Sequence, residues 1–335
     1  MTTEKRASQT VKVPWNFEGS RFDVVAQTLC QEWLKSPLPR SMAQKSIEKG
    51  FILLNGEPAP TNLRVSKGDM VLYTESFFKT LVTSENRKEP KGEEPELIFE
   101  NDLFIVLYKP ASWLSHEVSS YQKEATLEDW IAKKGLIPAE QVAEGRVHRL
   151  DRNTSGLILY AKNADVQREL KTLFQDRKMT KTYIALVEGH LEEKEGIITT
   201  AIERIKGSFK RIATEIRPEI DTQKLAETKY QAIASIDDYD LVLVFPKTGR
   251  THQIRVHMAA LGHPITGDTL YGSKDPLLSR QFLHAFRLAF DFHNEEYSFV
   301  CPLREDLQYA LSTLDESEFS GYDNEALKTI GLKQG

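Results

Sequence analysis

Hydrophobic residues in the first part of the chain repeat at helical spacing and then at strand spacing. The apolar positions of "RFDVVAQTLCQEWLK" recur every three or four residues, which predicts an amphipathic helix. The apolar face of this helix is formed by Phe22, Val25, Leu29 and Trp33. "SMAQKSIEKG" predicts a second helix, with Ser41 as its N-cap and Gly50 as its stop. Short strands follow in "FILLNGEPAP" and "VSKGDMVLY", around an Asn-Gly turn.

From about residue 96 onwards, strand patterns dominate the chain. "ELIFENDLFIVLYKP" predicts two strands around an Asn-Asp turn, and "GLILYAK" predicts a buried strand. "NADVQRELKTLFQDR" is typical of a helix, and its apolar face carries Val166, Leu170, Leu173 and Phe174. Further strands are predicted in "KTYIALVEG", "ETKYQAIASI", "DLVLVFPKTG", "FLHAFRLAFDF" and "EEYSFVCPL". This pattern predicts an α+β fold, with a mixed, mostly antiparallel β-sheet and helices packed around it.

The polar stretch "KTLVTSENRKEPKGEEP" separates these two regions. Its charges and its two prolines predict a linker between domains. A length of 335 residues also suits two domains better than one. The expected organisation is a polar arm at 1–18, a small α/β domain at 19–78, a linker at 79–95, a larger α+β domain at 96–312 and a tail at 313–335.

Composition excludes several classes of protein. The first twenty residues lack a long apolar core, and no stretch approaches the roughly 20 apolar residues of a membrane span. We therefore expect neither a secretory signal nor a membrane helix. Cys30 and Cys301 lie far apart and form no metal pattern, which suits a reducing compartment. The expected location is the cytoplasm.

The distribution of charge is more informative than its sum. The net charge is −5, which by itself argues against a nucleic-acid partner. Residues 146–181, however, contain nine Lys or Arg and four Asp or Glu, so this segment carries 9 − 4 = +5. A local basic field can attract a polyanion despite an acidic total. Charge alone still favours an ordinary solvated surface, so the choice depends on the motifs.

The small domain carries the first resemblance to a known family. Its stretch "PRSMAQKSIEKGFILLNGEPAPTNLRVSKGDMVLY" resembles the S4 RNA-binding domain, in which two helices and a small sheet bind structured RNA. The resemblance implies that Arg40, Lys45 and Lys49 contact phosphates. The alternative is a small helix-plus-hairpin domain whose lysines are only solvated.

Three motifs in the larger domain carry the second resemblance. They are "HRLDRNTSGLILYAK", "KTYIALVEG" and "GRTHQIRVHMAALGHPITGDTLYG", in this order. In the third, Thr251 is expected to cap a short helix that places His252 and Arg255 along one face. Together with "LYKPASWLSH" and "FLHA", these motifs resemble the RluA-type pseudouridine synthases over roughly residues 96–302.

This resemblance implies an isomerase and names its catalytic residues. The bond from C1′ to N1 of a uridine in RNA breaks, the uracil turns, and C5 bonds to C1′. The reaction needs one ionised carboxylate, implied to be Asp151, which attacks C1′ or removes the 2′ hydrogen. A guanidinium nearby keeps a buried carboxylate charged, and Arg255 is the implied partner. Tyr183 is implied to stack on the uracil.

Further residues are expected to bind the substrate. A stacked base must be flipped out of its helix, at about a few kcal/mol, and Arg149 is expected to fill the vacated space and hold phosphates. The remaining expected contacts of this domain with the substrate are Lys109, His148, Arg152, Arg250 and Thr251. Lys109 can also support the wall of the site. No cofactor and no metal are expected, because the spacing of His148, His252 and His257 fits no common ligand pattern.

The leading hypothesis is therefore a monomeric, cofactor-free RNA pseudouridine synthase that modifies ribosomal RNA in preference to transfer RNA. The ordinary alternative for Asp151 is a structural acid that caps a turn through Thr154 or Ser155. At the level of the protein, the alternatives are a non-catalytic S4-bearing RNA-binding protein on a synthase scaffold and a hydrolytic nucleosidase. Asp268 and Tyr271 are expected to fix the loop after the helix.

Overall fold

The computed structural model describes most of the chain in two compact units. The described residues are 8–34, 38, 40–80, 87–117, 124–205, 207–208, 210–217, 223–275, 277–314 and 320–321. One unit comprises Met1–Pro90 with Glu117–Ala125, and the other comprises Lys91–His116 with Thr126–Gly335. Most of the expected tail and the first seven residues of the expected arm lie outside the described residues. Within the described ranges, no helix is long and apolar enough to cross a membrane.

The smaller unit is a three-stranded antiparallel sheet with helices. Its elements are β1 (Gln9–Lys12), a 3-10 helix (Trp15–Phe17), α1 (Phe22–Leu34), α2 (Arg40–Glu48), β2 (Ile52–Leu54), β3 (Met70–Tyr73) and α3 (Glu75–Thr80). β3 lies between β1 and β2. Because β1 belongs to this sheet, regular structure begins inside the stretch expected to be a polar arm.

Local sequence signals of the small unit correspond to the observed turns and faces. Phe22, Val25 and Leu29 of α1 are buried in the core of this unit, whereas the side chain of Trp33 lies outside the described part. At the Asn-Gly turn, both residues have positive φ, and Leu54 exchanges two backbone hydrogen bonds with Glu57, at 2.9 and 3.0 Å. Ser41 does not cap α2, because the helix already begins one residue earlier.

The larger unit is built around a sheet of eleven strands. These are β4 (Glu96–Glu100), β5 (Phe104–Lys109), β6 (Ser155–Ala161), β7 (Thr180–Glu188), β8 (Glu195–Arg204), β9 (Arg211–Thr214), β10 (Leu225–Ile236), β11 (Tyr239–Pro246), β12 (Leu283–Phe292), β13 (Glu295–Val300) and β14 (Ser320–Gly321). The helices are α4 (Leu127–Lys133), α5 (Val142–Gly145), α6 (Ala164–Gln175), α7 (Gln253–Ala260) and α8 (Glu305–Ser312).

The strand order of this sheet is β4-β5-β6-β12-β7-β11-β10-β8-β9, while β13 pairs with β12 and β14 with β10. Among the described strand pairs, β6 with β12 is parallel and the others are antiparallel. The predicted α+β fold with a mixed, mostly antiparallel sheet is confirmed. The central strands β6, β12, β7 and β11 carry or adjoin the residues that form the site.

A glycine permits the parallel pairing of β6 with β12. Gly156 has a φ of +118°, and a Cβ built there would lie 2.3 Å from the carbonyl oxygen of Ala285. No larger side chain fits this approach without a shift of the backbone. Gly156 therefore fixes where β6 begins, and with it the end of the loop that precedes β6.

Helix α6 packs as its apolar spacing predicts. Its N-cap Asn163 accepts a hydrogen bond from the backbone N–H of Val166 at 2.9 Å. Val166 and Leu170 are buried in the core of the larger unit, and Leu173 and Phe174 pack against that core from its edge. This packing brings the C-terminal end of the helix, with Phe174, to the wall of a cavity.

Candidate active site

The loop of residues 148–155 leads into β6 and carries Asp151. The turn is closed by a backbone hydrogen bond from Thr154 N–H to the carbonyl of Asp151, at 3.1 Å. The carboxylate of Asp151 is 16% exposed and its nearest charged neighbour is Arg255, at 3.3 Å. Since the backbone closes the turn, the carboxylate faces the guanidinium and does not cap Thr154 or Ser155.

Buried side chains hold the backbone of this loop on both sides of the carboxylate. The hydroxyl of Ser115 donates to the carbonyl of Leu150 at 2.9 Å and accepts from its N–H at 3.2 Å. On the other side, Arg280 donates to the carbonyl of Asn153 and to the hydroxyl of Ser155, both at 3.3 Å. The backbone of the loop is thereby tied to buried side chains from two other segments of the larger unit.

Lys109 holds the same loop and does not reach the cavity, which corrects its expected role in substrate binding. Its side chain is fully buried. Its ammonium donates to the carbonyls of Pro110, Trp113 and Arg152 at 2.7, 2.8 and 3.0 Å. Burial, with the charge of Arg280, lowers its pKa well below the ordinary value for lysine. The three carbonyls use all three donors of the ammonium, so Lys109 supports the wall of the site.

Helix α7 presents Arg255 because its opposite side is fastened to the sheet. Gln253 donates to the hydroxyl of Thr228 at 2.9 Å, and Nδ1 of His257 lies 2.8 Å from the same hydroxyl. Positions 253 and 257 are one helical turn apart and share a face, so Arg255 points away from the sheet. The helix is therefore a fixed support for one guanidinium.

The start of α7 differs from the prediction. Its N-cap is His252, in the left-handed conformation with a φ of +60°, and no side chain caps the helix. Thr251 lies one residue too early for that role, and the amide oxygen of Gln253 turns back to accept from Arg250 N–H at 3.0 Å. Thr251 lines the cavity.

Arg255 connects two carboxylates. Its Nε and Nη2 donate to Asp268 at 2.6 and 2.8 Å, and its Nη1 donates to Asp151 at 3.3 Å. Burial alone would lower the pKa of Arg255, but the hydrogen bonds to Asp268 and the charges of both acids raise it overall. The two-pronged bond to Asp268 fixes the guanidinium plane and leaves one edge for Asp151.

A histidine completes the surroundings of the carboxylate. Nε2 of His252 lies 3.9 Å from Asp151, and Nδ1 lies 2.8 Å from the hydroxyl of Tyr271. That hydroxyl accepts from Arg211 N–H at 3.1 Å, so its own proton is free to go to Nδ1. Nε2 then carries the hydrogen that faces Asp151. Burial lowers the pKa of His252 below the ordinary value for histidine, which favours the neutral ring.

Tyr183 lies on β7 between two neighbouring strands. It pairs with Val244 of β11 and Ala285 of β12, and its ring lines the same cavity as Asp151. Burial, reinforced by the charge of Asp151, raises the pKa of its hydroxyl well above the ordinary value. The tyrosine therefore presents a protonated aromatic side chain, 9% exposed, to the cavity.

The cavity that these residues share has a volume of about 730 Å³, which suits a nucleotide. Asp151 is the one acid among the described residues that line it. Its basic lining consists of Arg146, Arg149, Lys171, Arg177, Lys181, Lys247, Arg250 and Arg255. No three described His, Cys, Asp or Glu side chains are arranged to hold a metal ion. Such a site concentrates positive charge around one reactive carboxylate and favours a polyanionic substrate.

The structure gathers most of the residues predicted for this domain. Those that line the cavity are Asp151, Tyr183, Arg255, His148, Arg149, Arg250 and Thr251.

The imidazole of His148 accepts a hydrogen bond from Leu159 N–H at 3.0 Å. Burial lowers its pKa to about 3, so it is neutral. Arg250 donates to the carbonyl of Leu225 at 2.9 Å, and Arg149 is exposed. Arg152 is exposed and does not line the cavity.

The three cations predicted for the smaller unit have unlike surroundings. Arg40 pairs with the buried carboxylate of Asp23 at 3.0 Å, so its guanidinium is engaged inside its own unit, although 46% of its side chain remains exposed. Burial would raise the pKa of Asp23, but hydrogen bonds that include those from Arg21 and Arg40 lower it to about 2. Lys45 and Lys49 are exposed.

Sequence reasoning missed the contacts that Asp268 and Tyr271 make with residues of the site. Both lie in "GDTLYG", and both were expected only to fix a loop. The structure places Asp268 against Arg255 and Tyr271 against His252, so each touches a neighbour of Asp151. Their presence in the motif was the available signal.

Comparisons with known proteins show the family to which the chain belongs. The sequence model of the RNA pseudouridylate synthase family matches residues 103–260. An uncharacterized RNA pseudouridine synthase of Bacillus subtilis is 35% identical, over 76% of this chain and 83% of its own length. Ribosomal large subunit pseudouridine synthase D of Nitrosomonas europaea is 32% identical, over 82% of this chain and 78% of its own. Human RNA pseudouridylate synthase domain containing 1 has a solved structure with 25% identity and a TM-score of 0.54, covering 73% of this chain and 98% of that one.

The class of protein follows: it is an isomerase that modifies uridine in RNA. The chain belongs to the RluA-type family of RNA pseudouridine synthases. This family membership supports a catalytic function over the alternative of a non-catalytic RNA-binding protein.

Proposed function

We propose that this enzyme isomerises a uridine in ribosomal RNA, with Asp151 acting on the ribose of a flipped-out nucleotide. The observation that carries the proposal is the position of Asp151 as the one acid among eight cations on the described cavity wall. Ribosomal RNA is preferred over transfer RNA because relatives are named for the large ribosomal subunit. The enzyme is proposed to act as a monomer in the cytoplasm, where its RNA is found.

The proposed chemistry needs one carboxylate. Whether Asp151 attacks C1′ or removes the 2′ hydrogen, it must be ionised, and the guanidinium of Arg255 at 3.3 Å favours the ionised form. Glycosidases usually use two carboxyl groups, because they activate water and protonate a leaving group. Here the uracil stays bound and becomes the nucleophile through C5, so no second acid is required.

Tyr183 and Arg149 are proposed to handle the flipped base. The ring of Tyr183 faces the cavity and offers the uracil an aromatic surface, and its protonated hydroxyl lies within the field of Asp151. Arg149 is exposed two residues before Asp151, so it can fill the space that the base leaves and hold phosphates. His148, Arg250 and Thr251 complete the proposed substrate wall.

The smaller unit is proposed to be an S4-like RNA-binding domain at 19–78, joined to the catalytic domain at 96–312 by the segment 79–95. Two helices and a small sheet, with Lys45 and Lys49 exposed on and just after α2, support this proposal. Phosphate contacts from such lysines would add affinity for a folded stem without reading its sequence.

The test is release of tritium from uridine labelled at C5 in RNA. Release by the native enzyme and none by Asp151→Asn supports the proposal, whereas free uracil as the product would indicate a nucleosidase. Mapping the uridines that lose their modification when the gene is deleted identifies the RNA. A target in transfer RNA alone would overturn the ribosomal assignment and leave the reaction intact.

A further inference from the structure

Lys181 lines the cavity on the same strand as Tyr183. The two residues are two positions apart on β7, so their side chains leave the same face of the sheet, about 7 Å apart along the strand. Lys181 pairs with Leu288 of β12. On the other side, Tyr183 pairs with Val244 of β11, and Lys247 directly follows the end of that strand.

No described acidic residue forms an ion pair with Lys181. Its ammonium lies 5.4 Å from the centre of the Phe174 ring, and among the described residues no hydrogen bond or ion pair reaches it. Burial, together with the charge of Lys247, lowers its pKa to about 8. Lys181 in turn contributes to the low pKa of His148, a neutral ring that lines the same cavity.

The ammonium of Lys181 is partly buried, and a second cation, the exposed Lys247, lies near enough to lower its pKa, so its charged form is unfavourable in the free enzyme. Such a group is stabilised when an anion enters and restores both a partner and hydrogen bonds. The arrangement therefore favours the binding of an anion at a position several ångströms from the ring of Tyr183. In a nucleotide, a phosphate occupies this kind of position relative to its base.

We propose that Lys181 and Lys247 form a subsite for one of the two phosphates that flank the target uridine. This inference rests on the proposed function, since it places that phosphate relative to a base on Tyr183. Phe174 shields the ammonium of Lys181 from water on one side, so the phosphate is the partner that completes its coordination. Lys181 thus positions the nucleotide and takes no part in the bond changes.

The test combines protein variants with neutralised phosphates. The probe is a synthetic stem-loop RNA that carries the mapped target uridine, either with all phosphates intact or with one methylphosphonate 5′ or 3′ of that uridine. Lys181→Met is expected to lower kcat/KM on the intact RNA about 10-fold to 100-fold, the value of a charge-assisted contact. Lys181→Arg should retain most of the activity. Lys229→Met, an exposed lysine outside the cavity, is the matched control.

The subsite is supported if the decrease in kcat/KM caused by Lys181→Met disappears with one of the two methylphosphonate RNAs. Native enzyme and Lys181→Met should then turn over that RNA at rates within about twofold. An unchanged penalty on both neutralised RNAs would overturn the subsite. Turnover of intact RNA by the native enzyme, measured first, separates this outcome from a failure of the proposed function. Equal thermal unfolding midpoints exclude misfolding, and Lys247→Met should show the same coupling.

Discussion

Arg255 donates two short hydrogen bonds to Asp268 and one longer hydrogen bond to Asp151. Asp268, which does not line the cavity, therefore anchors the guanidinium. The same guanidinium also binds Asp151, which does line the cavity. A shared guanidinium that is already fixed loses less side-chain entropy when it holds the reactive carboxylate. We infer that Asp268 acts on the reaction through Arg255.

Asp268→Asn is expected to lower kcat about 10-fold to 100-fold with little change in KM. The amide keeps the shape but offers one acceptor in place of two, so the guanidinium loses its fixed plane. The double variant Asp268→Asn with Arg255→Lys should be no slower than Arg255→Lys alone, because both changes act on one unit. Additive losses would contradict a role through Arg255.

Asp151→Asn should abolish turnover and leave RNA affinity nearly intact. The loss is expected to be at least about 1,000-fold, as for other groups that act on the reacting bond. Affinity is retained because phosphate contacts dominate binding and this variant removes none of them. Tritium release gives the rate, and a filter-binding titration gives Kd. A Kd raised tenfold or more would count against the assignment.

Binding of RNA should weaken as the pH rises above about 8. Lys181 carries its charge below its pKa of about 8 and loses it above that pH. Its titratable neighbours in the cavity are Lys247 and the neutral His148. Because the phosphate binds the charged form, Kd should be flat from pH 6 to 7.5 and rise by up to tenfold per pH unit beyond 8. Lys181→Arg should keep a flat profile up to pH 9.5, and a native profile that is equally flat would refute the prediction.

Lys45→Ala with Lys49→Ala should weaken RNA binding without changing kcat at saturating RNA. Each lost phosphate contact should reduce the slope of log K against log salt by about 0.7–0.9. Lys229→Ala is the control, being an exposed lysine of the other unit. An unchanged salt slope would argue against contacts from the smaller unit.

Gly156→Ala is expected to lower the free energy of unfolding by about 2–4 kcal/mol, because it combines a strained positive φ with a clash against a strand. Its methyl group would meet the Ala285 carbonyl at 2.3 Å. Gly135→Ala, also at positive φ but with open space around it, should cost only about 1 kcal/mol. Equal losses, measured by chemical denaturation, would show that the strand contact does not matter.

Periodicity predicted the elements, but it did not predict how side chains meet. The alternating runs were enough for an antiparallel sheet, and the motif resemblance was enough to pair Asp151 with Arg255 across 104 positions. Local spacing gave the wrong cap for α7, because the left-handed turn at His252 depends on how the chain approaches the sheet.

The burial and the partners of individual basic side chains also could not be predicted from the sequence. Lys109 and Arg40 look alike in sequence as basic residues next to motif positions. One is enclosed by three carbonyls, and the other is held by a buried acid. The contact of Lys109 with Arg152 spans 43 positions and that of Arg40 with Asp23 spans 17, and no spacing rule predicts either of them.

The hydrogen bonds that hold the backbone of residues 150–155 have a consequence for the RNA: the conformational change of the reaction is expected to occur there. Ser115, Lys109 and Arg280 hold the backbone on either side of Asp151 by hydrogen bonds. Under the proposed function, we therefore infer that the loop stays in place and that the nucleotide moves to it. Selectivity among uridines would then reflect how easily each one leaves its stack, and a weakly stacked uridine in a strained loop would be chosen over an identical sequence within a regular duplex.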